Sequence, residues 1–192
     1  MPEAAKIIEQ KKEFTYKDYL EFDDDVRVEL IDGKVWDMSP APTTIHQIIC
    51  QNMAVELGIF FRDRNCQTFV CPTDVKLDAK TVVQPDNLVV CRREIITERC
   101  IEGAPDLVVE ILSPATELKD RNVKFKLYQK HGVREYWLVS PAGYVDVYYL
   151  NAGQYNFHGN FGVNDVLTSV LFADLQIEVK NIFRGINYVA GA

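Results

Sequence analysis

GAPDLVVEILSP, residues 103–114, is the stretch whose reading decides the fold. Leu107, Val108, Val109, Ile111 and Leu112 are apolar without alternation, the pattern of a strand covered on both faces. Glu110 stands in the middle of it. An ionised carboxylate in an apolar layer costs several kcal/mol unless a cation or a set of donors balances it. The strand therefore fixes an architecture and poses a question about Glu110.

Downstream, Pro114 ends the strand and Thr116 is placed to cap a helix reaching to about Gln129. Gly132 supplies the left-handed residue that stops it. REYWLVSP then reads as a second buried strand. Strand, helix and strand over 104–140 make a crossover unit, which sets two sheet strands parallel.

Upstream, residues 15–22 read as a short helix capped by Thr15. VRVELIDGKVWDM is a hairpin around Asp32-Gly33, a pair that tolerates the positive φ of a tight turn. SPAPTT is a loop, and 44–64 carries helical apolar spacing. Strands are expected at 66–71, 73–78 and 82–91, with a turn at Asp78-Ala79-Lys80 and a charged loop over 92–102. YVDVYYL and QYNFHGN form a C-terminal hairpin around Asn151-Ala152-Gly153, before two short strands and a helical turn at 181–186. The fold class is α/β, a mixed central sheet flanked by helices with a hairpin at each end.

The 192 residues fit one domain, 1–192, and 47% hydrophobic content is enough for a core without staples. No apolar run reaches membrane-span length, and the polar start MPEAAKIIEQKKEF does not read as a signal peptide. The five cysteines show no C-x-x-C pair, so free thiols in a reducing cytoplasm are expected. A formal charge of −7 argues against a sequence-independent nucleic-acid binder, which usually carries a basic surface.

Three carboxylates occupy comparable settings: Glu110, Asp86 in VVQPDNLVV and Glu29 in VRVELIDG. Pro85 places Asp86 at an edge or bulge, which can turn a side chain toward a cleft. Mg²⁺ or Mn²⁺ held by such oxygens could activate a water against a phosphate ester. On the following helix Asp120, Lys124, Tyr128 and His131 share one stripe, whereas Lys126 points about 160° away from Lys124. Each feature also has an ordinary reading, such as a turn aspartate, an exposed Glu29 beside Arg27 or a solvated Asp120–Lys124 pair.

In this order, VELIDGKVWDMSP, a helix from His46, QPDNLVV, PDLVVEILSPAT and KFKLYQKHGVREYWLVSP resemble the Uma-type endonuclease family over roughly residues 14–150. That family is similar to the PD-(D/E)XK restriction-endonuclease-like superfamily. The resemblance implies a metal-dependent nuclease acting on DNA. Asp86 and Glu110 match its metal-binding acids, Glu29 its early glutamate and His46 its helix-initiating histidine. The superfamily lysine two residues beyond the second acid is absent, since Leu112 stands there. Lys124 is the matching lysine from the next helix, with Asp120 as an accessory. The alternatives are an inactive binding or assembly module on the same fold and a hydrolase of smaller phosphate esters. A homodimer is expected from the need to cut two strands and from the aromatic C-terminal hairpin.

Overall fold

The computed structural model describes residues 13–22, 27–38 and 41–186. The expected polar N-terminus and part of the SPAPTT loop, residues 39–40, lie outside them. The chain runs α1 (Tyr16–Tyr19), β1 (Val28–Ile31), β2 (Lys34–Asp37), α2 (Thr44–Phe61), β3 (Gln67–Val70), β4 (Val75–Asp78), β5 (Thr81–Val83), β6 (Asn87–Val90), β7 (Ile101–Glu102) and β8 (Leu107–Ile111). A π-helical segment (Lys119–Lys124) leads into α3 (Phe125–His131). Then follow β9 (Glu135–Ser140), β10 (Tyr144–Asn151), β11 (Gln154–Gly162), β12 (Val166–Thr168), β13 (Gln176–Glu178) and α4 (Val179–Ile182). Among the described residues no helix is long and apolar enough to cross a membrane.

The central sheet has six strands in the order β11-β10-β9-β8-β6-β3. As the crossover unit requires, β8 and β9 pair in parallel, with Glu110 opposite Leu138. Alternation sorts β8 onto two faces. Leu107, Val109 and Ile111 pack with Ile49, Met53 and Leu57 of α2. Val108 packs with Leu127 and Tyr128 of α3. Glu110 is in phase with Val108 and so faces the helix that follows its own strand.

The N-terminal hairpin does not extend this sheet. It lies in a second sheet of five strands, β2-β1-β5-β4-β7. Its turn residues Asp32 and Gly33 have φ of 47° and 77°, the left-handed pair expected of the dipeptide. Gly132, at φ 83°, closes α3 as anticipated.

Three local expectations need correction. The run 82–91 is two strands, not one. β5 ends the five-stranded sheet and β6 enters the six-stranded one, with Gln84-Pro85-Asp86 as the passage between them. Pro85 cannot donate to a ladder, and here the chain changes sheet rather than bulging. The charged loop 92–102 contains β7, which pairs in parallel with β4. Finally, Cys66 and Cys91 form a disulfide, while Cys50, Cys71 and Cys100 are free thiols. The pairing follows from strand register: Gln67 lies opposite Val90, so Cys66 meets Cys91 at the next step of the antiparallel ladder. Two of the five cysteines are therefore not the free thiols expected, and the sequence argument for a reducing compartment loses that support.

Candidate active site

The site lies where the two sheets meet. β1 contributes Glu29, the passage between β5 and β6 contributes Asp86, and β8 contributes Glu110. Lys119, Asp120 and Lys124 come from the π-helical segment.

Lys124 is the hub. Its Nζ lies 2.9 Å from Glu110 Oε1, 2.8 Å from Glu29 Oε1 and 3.9 Å from Asp120 Oδ1. The Tyr128 hydroxyl donates to the same Glu110 oxygen at 2.7 Å. The far oxygen of Glu29 receives Lys119 Nζ at 2.9 Å, and its near oxygen accepts the Gln84 N–H at 3.0 Å. The opening question thus has an answer in protein groups: Glu110 is tolerated because an ammonium and a phenol meet it inside the core. Exposure is 4% for Glu110, 0% for Glu29 and 3% for Lys124, so these pairs are sheltered from the screening that weakens surface ion pairs.

The π-turn creates this arrangement. In a regular α-helix Lys119 and Lys124, five residues apart, would lie about 140° apart around the axis. A π-helix bonds residue i to i+5 and brings such pairs to one side. Both lysines consequently reach Glu29. Lys119 was invisible to α-helical periodicity, and it is a principal partner that the sequence reading lacked. His131 does not continue the stripe; its Nε2 lies 3.5 Å from Asp78 Oδ2 instead.

Burial pushes the Glu110 carboxyl up to about 8 against the attraction of Lys124, and Asp120, Asp86 and Glu29 push the same way. Burial also raises Asp120, outweighing Lys124. For Glu29 burial acts upward, yet Lys124 and Lys119 together outweigh it and hold the carboxyl low. Lys124 stays protonated far above its ordinary range because Glu110, Glu29 and Asp120 outweigh the cost of burial. Four carboxyls, Glu29, Asp86, Glu110 and Asp120, thus gather around two ammoniums. Asp120 Oδ1 is buried without a hydrogen-bond partner.

Asp86 occupies the more open side of the site, its side chain 13% exposed. Its Oδ2 accepts the backbone N–H of Ile111, the residue after Glu110, at 2.8 Å. The same oxygen lies 3.2 Å from His46 Nε2. Thr43 caps α2 by accepting from His46 N–H at 3.3 Å, which sets the histidine in the first turn facing Asp86. Burial alone would lower His46, but the hydrogen bond and charge of Asp86 raise it. The structure therefore brings Glu29, Glu110, Asp120 and Lys124 into one contact network and pairs Asp86 with His46. The two groups are joined through the Ile111 N–H.

Against Asp86 stand two thiols that the sequence reading left without a role. The Sγ atoms of Cys50 and Cys71 and a carboxylate oxygen of Asp86 all lie within 4.8 Å of one another. A signal for Cys50 was present, because it follows His46 by four residues and shares its helix face.

The Uma2 family model, described as "Putative restriction endonuclease", matches residues 15–180. The uncharacterized protein slr1290 of Synechocystis sp. is 26% identical over 179 residues, covering 90% of this chain and 92% of that one. A crystal structure titled as a putative nuclease belonging to DUF820, from Anabaena variabilis, superposes with a TM-score of 0.74 at 23% identity. It covers 88% of this chain and 97% of its own. That likeness shows the shared fold. With a family model spanning most of its length, the chain belongs to the Uma2 family of restriction-endonuclease-like proteins.

Proposed function

We propose that this protein is a divalent-metal-dependent nuclease that hydrolyses DNA phosphodiester bonds. The observation that carries the reading is the seat of Lys124, 2.9 Å from Glu110 although it comes from the segment after the strand. An acid strand and a lysine thereby meet without the E-x-K spacing, and Leu112 need not be a lysine. The donor set suits Mg²⁺ or Mn²⁺: it is oxygen-rich, carries more carboxyls than ammoniums and includes the orphaned oxygen of Asp120.

Asp86 and Glu110 are the residues to hold the ion. When bound, it would polarise a phosphate oxygen and lower the pKa of a water. Lys124 orients the attacking water and offsets negative charge developing on the phosphate. Glu29 and Lys119 fix the lysine's position, Asp120 adds to its field, and His46 orients Asp86 from the open side. The polymer approaches at Asp86, the most exposed carboxylate of the group. The reading requires a compartment containing DNA and divalent ions, as the cytoplasm expected from the sequence does. A homodimer with two sites would cut both strands, and a strict 22.0 kDa monomer in sedimentation at high concentration would remove that part.

A second reading has its own support. The buried network is closed: Glu29, Glu110, Asp120 and Lys124 are each no more than 4% exposed. A binding or assembly module that retains the acid–lysine core as a structural device fits that closure. The decisive measurement pairs calorimetric titration of Mn²⁺ with cleavage of varied DNA substrates. Metal binding that weakens strongly in Asp86→Asn and Glu110→Gln, together with metal-dependent cleavage, supports the nuclease. Equal binding by wild type and both variants sinks it. Intact binding without cleavage gives the module.

A further inference from the structure

We infer that Cys50, Cys71 and Asp86 form a binding site for a thiophilic divalent ion of the zinc class, distinct in ligand chemistry from the carboxylate site. Three observations on different elements converge. The donor atoms of the three residues lie within 4.8 Å of one another, and both thiols are free. Two sulfurs bound to one tetrahedral zinc at about 2.3 Å each lie about 3.8 Å apart, so closure needs a movement of roughly an ångström. The two hydrogen bonds on Asp86, from Ile111 N–H and His46, both fall on Oδ2. Neither falls on Oδ1, so the carboxylate keeps lone pairs available to an ion. A ligating carboxylate held by a histidine and a backbone donor is the supporting shell that orients metal ligands.

The surroundings favour thiolate–metal bonding. Cys50 is 2% exposed at the foot of α2, and Cys71 is half-buried after β3. One sulfur is thus anchored in the core while the other borders solvent, which gives an ion a way in. The sulfurs select a soft or borderline ion over Mg²⁺, which prefers oxygen alone. Binding converts two thiols and one carboxylate to a complex of Zn²⁺ with two thiolates and a carboxylate, releasing two protons. A water fills the fourth position, as in open zinc sites. Because Asp86 also belongs to the proposed nuclease site, a zinc-class ion here would compete with Mg²⁺ for that carboxylate and inhibit cleavage. That inhibitory role rests on the nuclease reading; the site itself rests on the two thiols.

Cobalt(II) titration of the full chain, kept reduced and anaerobic, tests it. The expected result is one Co²⁺ per chain with sulfur-to-cobalt charge-transfer absorption, displaced by Zn²⁺ with two protons released per ion bound to the apo protein. Cys71→Ser, at the half-buried position, should abolish the charge transfer of the paired thiolates and weaken affinity by about tenfold or more. Cys50→Ser should do the same. Glu110→Gln should leave the signal unchanged, whatever it does to Mn²⁺ binding, so failure of the nuclease reading and failure of this site are separable. Absence of charge transfer in the reduced wild type overturns the site. So does its persistence in the folded Cys71→Ser protein, or a Cys50–Cys71 disulfide resisting reduction in the native chain.

Discussion

Two glutamates sit buried on adjacent parallel strands, and they are balanced in opposite ways. Glu135 of β9 is 0% exposed and accepts from the Ser169 hydroxyl at 2.5 Å and the Val170 N–H at 3.0 Å. Glu110 of β8 meets an ammonium, a phenol and three neighbouring acids. Burial raises both carboxyls. Glu135 is satisfied by neutral groups, so it pins the loop after β12 to the sheet. Glu110 belongs to a charge system whose members depend on one another. Residue type and burial are the same; what faces the carboxyl separates a fastening from a candidate reaction centre.

The sharpest way to break this contrast is to remove the hub. Lys124→Met should destabilise the protein by about 3–5 kcal/mol in chemical denaturation, because Glu29 and Glu110 would be left as buried acids without their shared cation. Lys124 is only 3% exposed, so water cannot take the place of the missing ammonium. A cost near zero would mean the network is not a charge system at all. Matched amide substitutions come next. Glu110→Gln should reduce any metal-dependent cleavage by about 10²–10³, comparable with losing one electrostatic group of an active site. Glu135→Gln should leave cleavage unchanged and cost no more than about 1 kcal/mol, since the amide oxygen and nitrogen can serve the N–H of Val170 and the oxygen of Ser169. Equal effects on cleavage would erase the distinction.

A smaller effect is read at His46. Its folded pKa lies above the ordinary 6.5, so the stability it contributes with Asp86 is fully present below pH 6.5 and lost as pH rises through the raised value. NMR titration should place its midpoint above 6.5, and Asp86→Asn should lower it, because burial is then opposed only by the weaker upward pull of Cys71 and of the Ile111 backbone. The smallest effect is the control: Lys126→Ala, on an exposed position of α3, should change stability by less than about 0.5 kcal/mol.

Much of the fold was legible because its signals are local. Asp32-Gly33 marks a turn whatever surrounds it, Gly132 marks a helix end, and the apolar run around Glu110 marks a doubly covered strand. The passage at Gln84-Pro85-Asp86 was not legible as a change of sheet. The hydrophobic pattern over 82–91 is continuous, and only tertiary pairing divides it. The role of Lys119 was hidden for a different reason: a π-turn changes which residues share a side, and periodicity arguments presuppose the α-helix. The Cys66–Cys91 bridge depends on cross-strand register, which Cys spacing does not encode. At the site, Lys124 lies beside Glu29, Glu110 and Asp120, residues that stand out in the sequence as charges in or near apolar runs, whereas the thiols against Asp86 needed three-dimensional placement.

The same bridge has a consequence for the connectivity of the molecule. It closes a ring of chain with a sequence separation of 25, and β4 and β5, two strands of the five-stranded sheet, lie inside that ring. Both ends of the ring are fixed at the β3–β6 pair of the other sheet. The second sheet is thus laced to the first by a covalent lasso as well as by packing, and less entropy is available to a chain that lets the sheets part. A protease cutting once between residues 71 and 86 would not divide the protein. The fragments would travel together until a reductant opened the ring.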